Sequence, residues 1–146
     1  MSDHATKRNY SIAVDFDGVL HSYLSPWVSA GVIPDPPVPG AIEWLTDIEK
    51  KFEVIVFTTR GKTQEGRDAV RRWLWENGYS GKHNRSSIRP ETWSDLTIVV
   101  TAEKPPALIY LDDRAVRFEG SFPTADEIHG ARPWRAAPAP AEEPKP

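Results

Sequence analysis

The chain contains no cysteine. That excludes disulfides, thiolate nucleophiles and cysteine-zinc sites together, and it fits a reducing compartment. No apolar run approaches the roughly 18 residues of a membrane span, and the first residues, Met1 to Tyr10, lack the apolar core of a signal peptide. A cytoplasmic location, away from membranes, is the expectation. Positive charge is not in excess either: 18 Lys and Arg stand against 21 Asp and Glu, for a formal net charge of −3. Proteins that hold duplex DNA by its phosphates are usually basic, so that class is disfavoured. No G-x-x-x-x-G-K-[ST] occurs, which excludes a P-loop kinase.

What is present suits one globular domain: 146 residues, 39% hydrophobic and 27% charged. The 14 prolines are clustered. Those in 133–146 alternate with alanine and glutamate, a composition that buries no apolar surface, so this stretch is expected to be a disordered tail. Residues 1–9 read as an N-terminal extension and 10–132 as the folded domain. A second group, Pro34, Pro36, Pro37 and Pro39, closes an irregular segment over 20–39, long enough for a loop to suggest a function.

Between these breaks, strand and helix patterns alternate. Residues 10–14 (YSIAV) read as a first strand. Ile42, Leu45, Ile48 and Phe52 recur at helical spacing from Gly40 to Lys51. The run EVIVF at 53–57 has the unbroken apolar character of a central parallel strand. Thr63 can cap a helix reaching about Asn77, with Val70, Trp73 and Leu74 inward and Gly78 as the stop. LTIVV at 96–100 and ALIYL at 107–111 are a third and a fourth strand, and Val116–Phe118 is a short fifth. The alternation implies an α/β fold with a mainly parallel, Rossmann-like sheet in a three-layer sandwich.

Ligands of such sheets bind beyond the carboxyl ends of the strands. There the chain places Asp15 and Asp17 after the first strand and Thr58, Thr59 and Arg60 after the second. Asp112, Asp113 and Arg114 follow the fourth, and Lys104 lies just before it. Two carboxylates about 4 Å apart repel by about 4 kcal/mol at an effective dielectric near 20. A divalent cation relieves this, and an all-oxygen donor set selects Mg2+, which commonly adds a substrate phosphate to its ligands. A carboxylate beside an electrophilic phosphorus is a competent nucleophile, and a second one can carry the proton for the leaving oxygen. Gly18 permits the chain to bend sharply at this point.

The motifs D-F-D-G-V-L, V-F-T-T-R, E-K-P and Y-L-D-D-R, in this order and at strand ends, resemble the four motifs of the haloacid dehalogenase-like superfamily over roughly residues 10–120. The resemblance implies Mg2+-dependent phosphoryl transfer through an aspartyl-phosphate. It assigns Asp15 as nucleophile and metal ligand. Asp17 becomes the general acid/base and lends the metal its backbone carbonyl. Thr58 binds the transferring phosphoryl group, with Thr59 as the alternative, and Lys104 neutralises the phosphate and orients the nucleophile. Asp113 is the expected direct metal ligand, with Asp112 beside it or acting through water. Arg60 meets substrate or pairs with a nearby carboxylate. The second Asp of the first motif argues against the dehalogenase branch itself. Neither inter-motif gap holds a folded cap, so the chain resembles capless or minimally capped phosphatases, whose open site suits a large substrate. The implied partner is a phosphorylated small molecule or nucleic-acid end. L-D-D-R also resembles the nucleotidase and polynucleotide end-phosphatase branches. A non-catalytic module that binds a phosphorylated ligand, or docks onto a larger assembly, is the reading from another class.

Other residues have no assigned task. His21, Tyr23 and Trp27 share the 20–39 loop; His21 either touches the leaving group or is a plain loop residue, and the two aromatics either stack on a base or pin the loop. Trp73 is expected in the core and Trp75 is unexplained. Lys82, Arg85 and Arg89 either steer an anionic polymer or are solvated. His4, His83 and His129 show no ligand spacing. The order of the acidic motifs, tandem Asp first and acidic pair late, argues against a response-regulator receiver.

Overall fold

A computed structural model of the chain describes residues 10–82 and 88–134. His4, His83, Arg85, the N-terminal extension and residues 135–146 of the expected tail lie outside the described residues.

Strands β1 (Ser11–Val14), β2 (Glu53–Phe57), β3 (Val99–Thr101) and β4 (Tyr110–Leu111) form one sheet in the order β3-β2-β1-β4. Every pairing is parallel. Helix α1 (Ala41–Ile48) connects β1 to β2, and α2 (Gln64–Glu76) connects β2 to β3. The chain then passes from one edge of the sheet to the other, so β4 lies against β1. Here the direction of strand addition reverses, and ligands of open α/β sheets favour the crevice outside such a point.

The elements form for local reasons. Gly40, at φ +85°, starts α1. The Thr63 hydroxyl accepts the Gly66 N–H at 3.1 Å and caps α2. Gly66 also abuts the Arg60 carbonyl so closely that a β-carbon would overlap it, which ties α2 to the segment after β2.

One core holds the molecule together. Ile12, Val14, Val54, Val56 and Val100 project from one face of the sheet onto Ala41, Ile42 and Leu45 of α1 and Val70, Trp73 and Leu74 of α2. The other face carries Val99, 54% exposed, and Tyr110, 38% exposed, while the helix α3 (Ala125–Gly130) buries no residue. Among the described residues the expected three-layer sandwich therefore has a single helical layer. Val116–Phe118 is not a strand. Val116 and Phe118 are exposed, and among the described residues no strand pairs with them.

The 20–39 segment is irregular, as expected, yet it is tightly held. Asp35 accepts the N–H groups of Leu24 and Ser25 and the Ser25 hydroxyl, at 2.8, 2.7 and 2.6 Å. Its carbonyl accepts the Trp73 indole N–H at 3.0 Å, so Trp73 is a core residue with a polar task. Trp75 packs partly against the core.

Candidate metal and phosphate site

The strand register assembles the site. Val14 pairs with Val56 on one side and with Leu111 on the other. The next residues, Asp15 and Asp112, thus leave adjacent strands at one level, and the Asp15 N–H donates to the Leu111 carbonyl at 2.8 Å. Asp113 follows. One carboxylate oxygen from each of Asp15, Asp112 and Asp113 lies within 4.8 Å of the others. Asp112 also accepts the Arg114 N–H at 2.7 Å, which fixes the turn after β4.

This crowding shows in proton affinity. Burial pushes the Asp15 carboxyl up to about 8, and the Asp112 and Asp113 charges add to it. The Phe16 N–H, 2.8 Å from Asp15 Oδ1, opposes the shift without cancelling it. Asp113 is raised as well, chiefly by burial. Near neutral pH Asp15 holds a proton that a cation would displace.

Two observations bear on whether a divalent cation fits. Asp113 Oδ1 is buried with no N–H or hydroxyl donor of another residue on it, and the Asp113 carboxyl meets only its own backbone N–H and the protonated Asp15 carboxyl. Gly18, at φ +92°, lies directly against Asp113: a β-carbon there would fall 2.9 Å from Asp113 Cγ and nearer still to Oδ2. The backbone is thus bare where the carboxylate needs room. Oxygen-only donors, with no N–H or hydroxyl of another residue on Asp113 Oδ1, suit a hard cation such as Mg2+.

Asp17 is placed differently. Its Oδ2 accepts Arg60 Nε at 2.9 Å. Its Oδ1 accepts Arg60 Nη2 at 3.1 Å and pairs with His21 Nδ1 at 2.8 Å. The Asp35 N–H donates to His21 Nε2 at 3.1 Å, so that nitrogen bears the lone pair and Nδ1 carries the proton given to Asp17. Burial alone would raise Asp17; the bonds from His21 and Arg60 outweigh it and hold the carboxyl below its ordinary range. This arrangement opposes the expected acid role, because a doubly paired carboxylate has no proton to give. Its side chain is also outside the Asp15–Asp112–Asp113 group.

Arg60 is 1% exposed, with its donors turned onto groups of the protein itself. Besides Asp17, its Nη1 donates to the carbonyls of Ser29, Ala30 and Val32 at 3.0, 2.8 and 3.1 Å. Its guanidinium lies 4.4 Å from the centroid of the Trp27 ring. Of the two expectations for Arg60, the structure shows the pairing with a nearby carboxylate, as a clamp between the first motif and the 20–39 loop. Trp27 belongs to that clamp. His21 is fully buried, stacked on Phe16 at 5.5 Å.

Thr58 is buried at the end of β2, where its Oγ1 accepts the Arg60 N–H at 3.3 Å and caps the 3-10 turn Thr59–Lys62. Its hydroxyl proton is left to donate. Thr59 is exposed. Lys104 departs from expectation: its ammonium lies 5.1 Å from the centroid of the Tyr110 ring, and no ion pair joins it to Asp15, Asp112 or Asp113. The segment after β3 is irregular and carries Pro105 and Pro106, and Tyr110 donates its hydroxyl to the Pro105 carbonyl, which fixes Lys104 beside that ring. Lys82 pairs with Glu53 at 2.9 Å, and Arg89 lies 4.9 Å from the centroid of the Trp93 ring.

Sequence reasoning missed two contributors. His21 was read as a leaving-group contact or a plain loop residue, and its spacing of four from Asp17 is the one hint of the pairing it makes. Trp134 falls in the stretch expected to be a tail, yet its indole N–H donates to the Gly18 carbonyl at 2.7 Å. A surface cleft lined by Pro37, Glu43, Asp47 and Lys50 among others runs along α1 and shares no residue with the acidic group.

In comparisons with known proteins, no family model, no curated protein and no solved structure matches the chain.

Proposed function

We propose that the chain is a Mg2+-dependent phosphohydrolase acting on phosphate monoesters through Asp15. The observation that carries this is the convergence of Asp15, Asp112 and Asp113 at the sheet's reversal point, where, among the described residues, no cationic side chain pairs with them. Asp15, Asp113 and Asp112 would hold the cation, which supplies charge neutralisation for the carboxylates and the phosphoryl oxygens. A haloacid dehalogenase-like chemistry is the reading that these residues and their order support.

Asp15 attacks phosphorus through a carboxylate oxygen. A P–O bond forms to Asp15 as the bond to the leaving oxygen breaks, and the departing oxyanion takes its proton from solvent water. Water then attacks the same phosphorus, releases inorganic phosphate and regenerates the carboxylate. Thr58 supports the transferring group with its hydroxyl proton, and the exposed Thr59 is placed to assist. Asp17 orients the backbone next to Asp15 through the Arg60 and His21 bonds. It serves as proton donor only if its carboxyl leaves that clamp. Lys104 reaches the phosphate only by leaving the Tyr110 ring.

Asp15→Asn should abolish Mg2+-dependent hydrolysis of an aryl phosphate while the folded spectrum is retained. Unchanged turnover would remove Asp15 from the nucleophile role. A module that binds a phosphorylated ligand without turnover would instead show Mg2+-dependent binding of a phosphate ester and no release of phosphate.

A further inference from the structure

Residues 108–111 run along the outer edge of the sheet, against β1. The Ala13 N–H donates to the Ile109 carbonyl at 3.0 Å and the Asp15 N–H to the Leu111 carbonyl at 2.8 Å. In an extended strand the backbone polar groups of successive residues point alternately to its two sides. The N–H and C=O of Tyr110, between these two residues, therefore face away from β1. β4 ends the sheet order, so among the described residues no strand takes them. The side chains along this edge are apolar on both faces of the sheet: Leu108, Ile109, Tyr110 and Leu111 are each more than a third exposed. Parallel sheets are ordinarily covered on both faces, so such a run in solvent is unusual. No lysine or proline interrupts 108–111, although these are the common means of blunting an edge.

We propose that two copies of this chain pair β4 against β4, antiparallel about a two-fold axis at Tyr110, and so join their sheets into one. The two Tyr110 residues then exchange both backbone hydrogen bonds. The pairing stands apart from the phosphohydrolase reading. A second copy suits this edge because the axis sets an outward-facing residue opposite an outward-facing one, as a self-pairing strand requires. The same register sets Leu108 opposite Asp112, so no two like charges meet across the ladder. Beyond the strand, Arg114, Arg117 and Arg132 stand beside Glu119, Asp126 and Glu127. A margin with both signs complements its own copy, whereas an excess of one sign would favour a partner of the opposite charge. A standard interface takes about 800 Å2 from each partner; the four strand residues, with the exposed Val116 and Phe118, supply apolar area of that order. The stretches 1–9, 83–87 and 135–146 contain no Leu, Ile, Val, Phe, Tyr or Trp, so none of them offers an apolar run to lie along the edge instead.

The test is sedimentation of the full chain over a range of concentrations, for wild type, Leu108→Glu and Leu108→Lys. Wild type should approach twice the 16.4 kDa of one chain as concentration rises. Leu108→Glu sets a carboxylate opposite the partner's Asp112, twice over by symmetry, and should raise the dimer Kd by about tenfold. Leu108→Lys makes an opposite-charge pair at the same place and should leave Kd unchanged or lower it. Equal weakening by both variants would overturn the proposal, as would no weakening by Leu108→Glu. A wild-type monomer at the highest soluble concentration would also overturn it and leave the edge to a strand of another protein. Should a variant fail to fold, amide exchange of wild type decides alone. The outward-facing Tyr110 N–H should exchange about tenfold or more slowly in the concentrated protein than on dilution. Equal rates at both concentrations would overturn the pairing.

Discussion

Replacing Asp113 by Asn should stabilise the protein in the absence of a divalent cation and destroy its response to one. At about 4.8 Å and an effective dielectric near 20, each pair among Asp15, Asp112 and Asp113 repels by about 3.5 kcal/mol when both are charged. Asp113→Asn keeps the volume against Gly18 and removes two of the three pairs. Asp112 is exposed, so its part is heavily screened. A net gain of about 2 kcal/mol is a fair allowance at pH 9, or about 8 °C in Tm for a domain of this size. Wild type should regain about 2.7 kcal/mol when Mg2+ reaches 100 times its Kd, and the variant should regain little. The expected signature is a crossing: variant above wild type in EDTA, wild type level or above in Mg2+. The pH dependence follows from Asp15, whose folded pKa of about 8 lies above its ordinary 3.8. Its protonated form favours the fold, so this stability is present at low pH and is lost as pH rises through about 8. The EDTA difference should therefore shrink toward pH 5, where protons already relieve the repulsion. Thermal unfolding at pH 5 and pH 9, with EDTA and with Mg2+, reads all of this. A variant less stable than wild type in EDTA at pH 9, with an undiminished Mg2+ shift, would refute the reasoning.

Gly18→Ala forces a side chain onto a φ of +92° and into Asp113. It should cost about 1–3 kcal/mol and weaken the Mg2+ shift in the same thermal assay. Arg60→Met leaves Asp17 buried without its bidentate partner and should cost about 3–5 kcal/mol, with faster proteolysis within 20–39 in a limited-digestion time course. Tyr79→Phe removes the hydroxyl that donates to Glu49 Oε2 at 2.7 Å. Burial raises Glu49, and this bond pulls it back, so the bond favours the charged form. Denaturant midpoints should show a loss of about 1–3 kcal/mol above the Glu49 pKa that fades as pH falls through it.

Much of the fold was readable where one strong local rule applied. EVIVF is β2 to the residue, and Thr63 caps α2 where a hydroxyl before an apolar-periodic run should. β3 is shorter than LTIVV suggested: Leu96 and Ile98 are buried but precede the strand, because burial does not require a ladder partner. Val116–Phe118 has strand composition but, among the described residues, no neighbour to pair with. The acidic group was legible because strand ends share a rim irrespective of side-chain direction. The carboxylate partner of Arg60 was legible as one of two readings; its loop carbonyls and the placement of Lys104 were not, because a loop residue's direction is set by whichever acceptors surround it. Arg60 finds Asp17 and three carbonyls of a loop some 30 residues earlier in the chain. Trp134 was masked by its proline-rich surroundings, whose composition argues for disorder while a single indole N–H finds a buried carbonyl.

Mn2+, which takes similar oxygen ligands, offers the most direct test. A crystal soaked in it and measured at the manganese absorption edge should give one strong anomalous peak in contact with carboxylate oxygens of both Asp15 and Asp113. Occupied lattice positions elsewhere with none between those two residues, or no peak at saturating Mn2+, would contradict the shared-cation account.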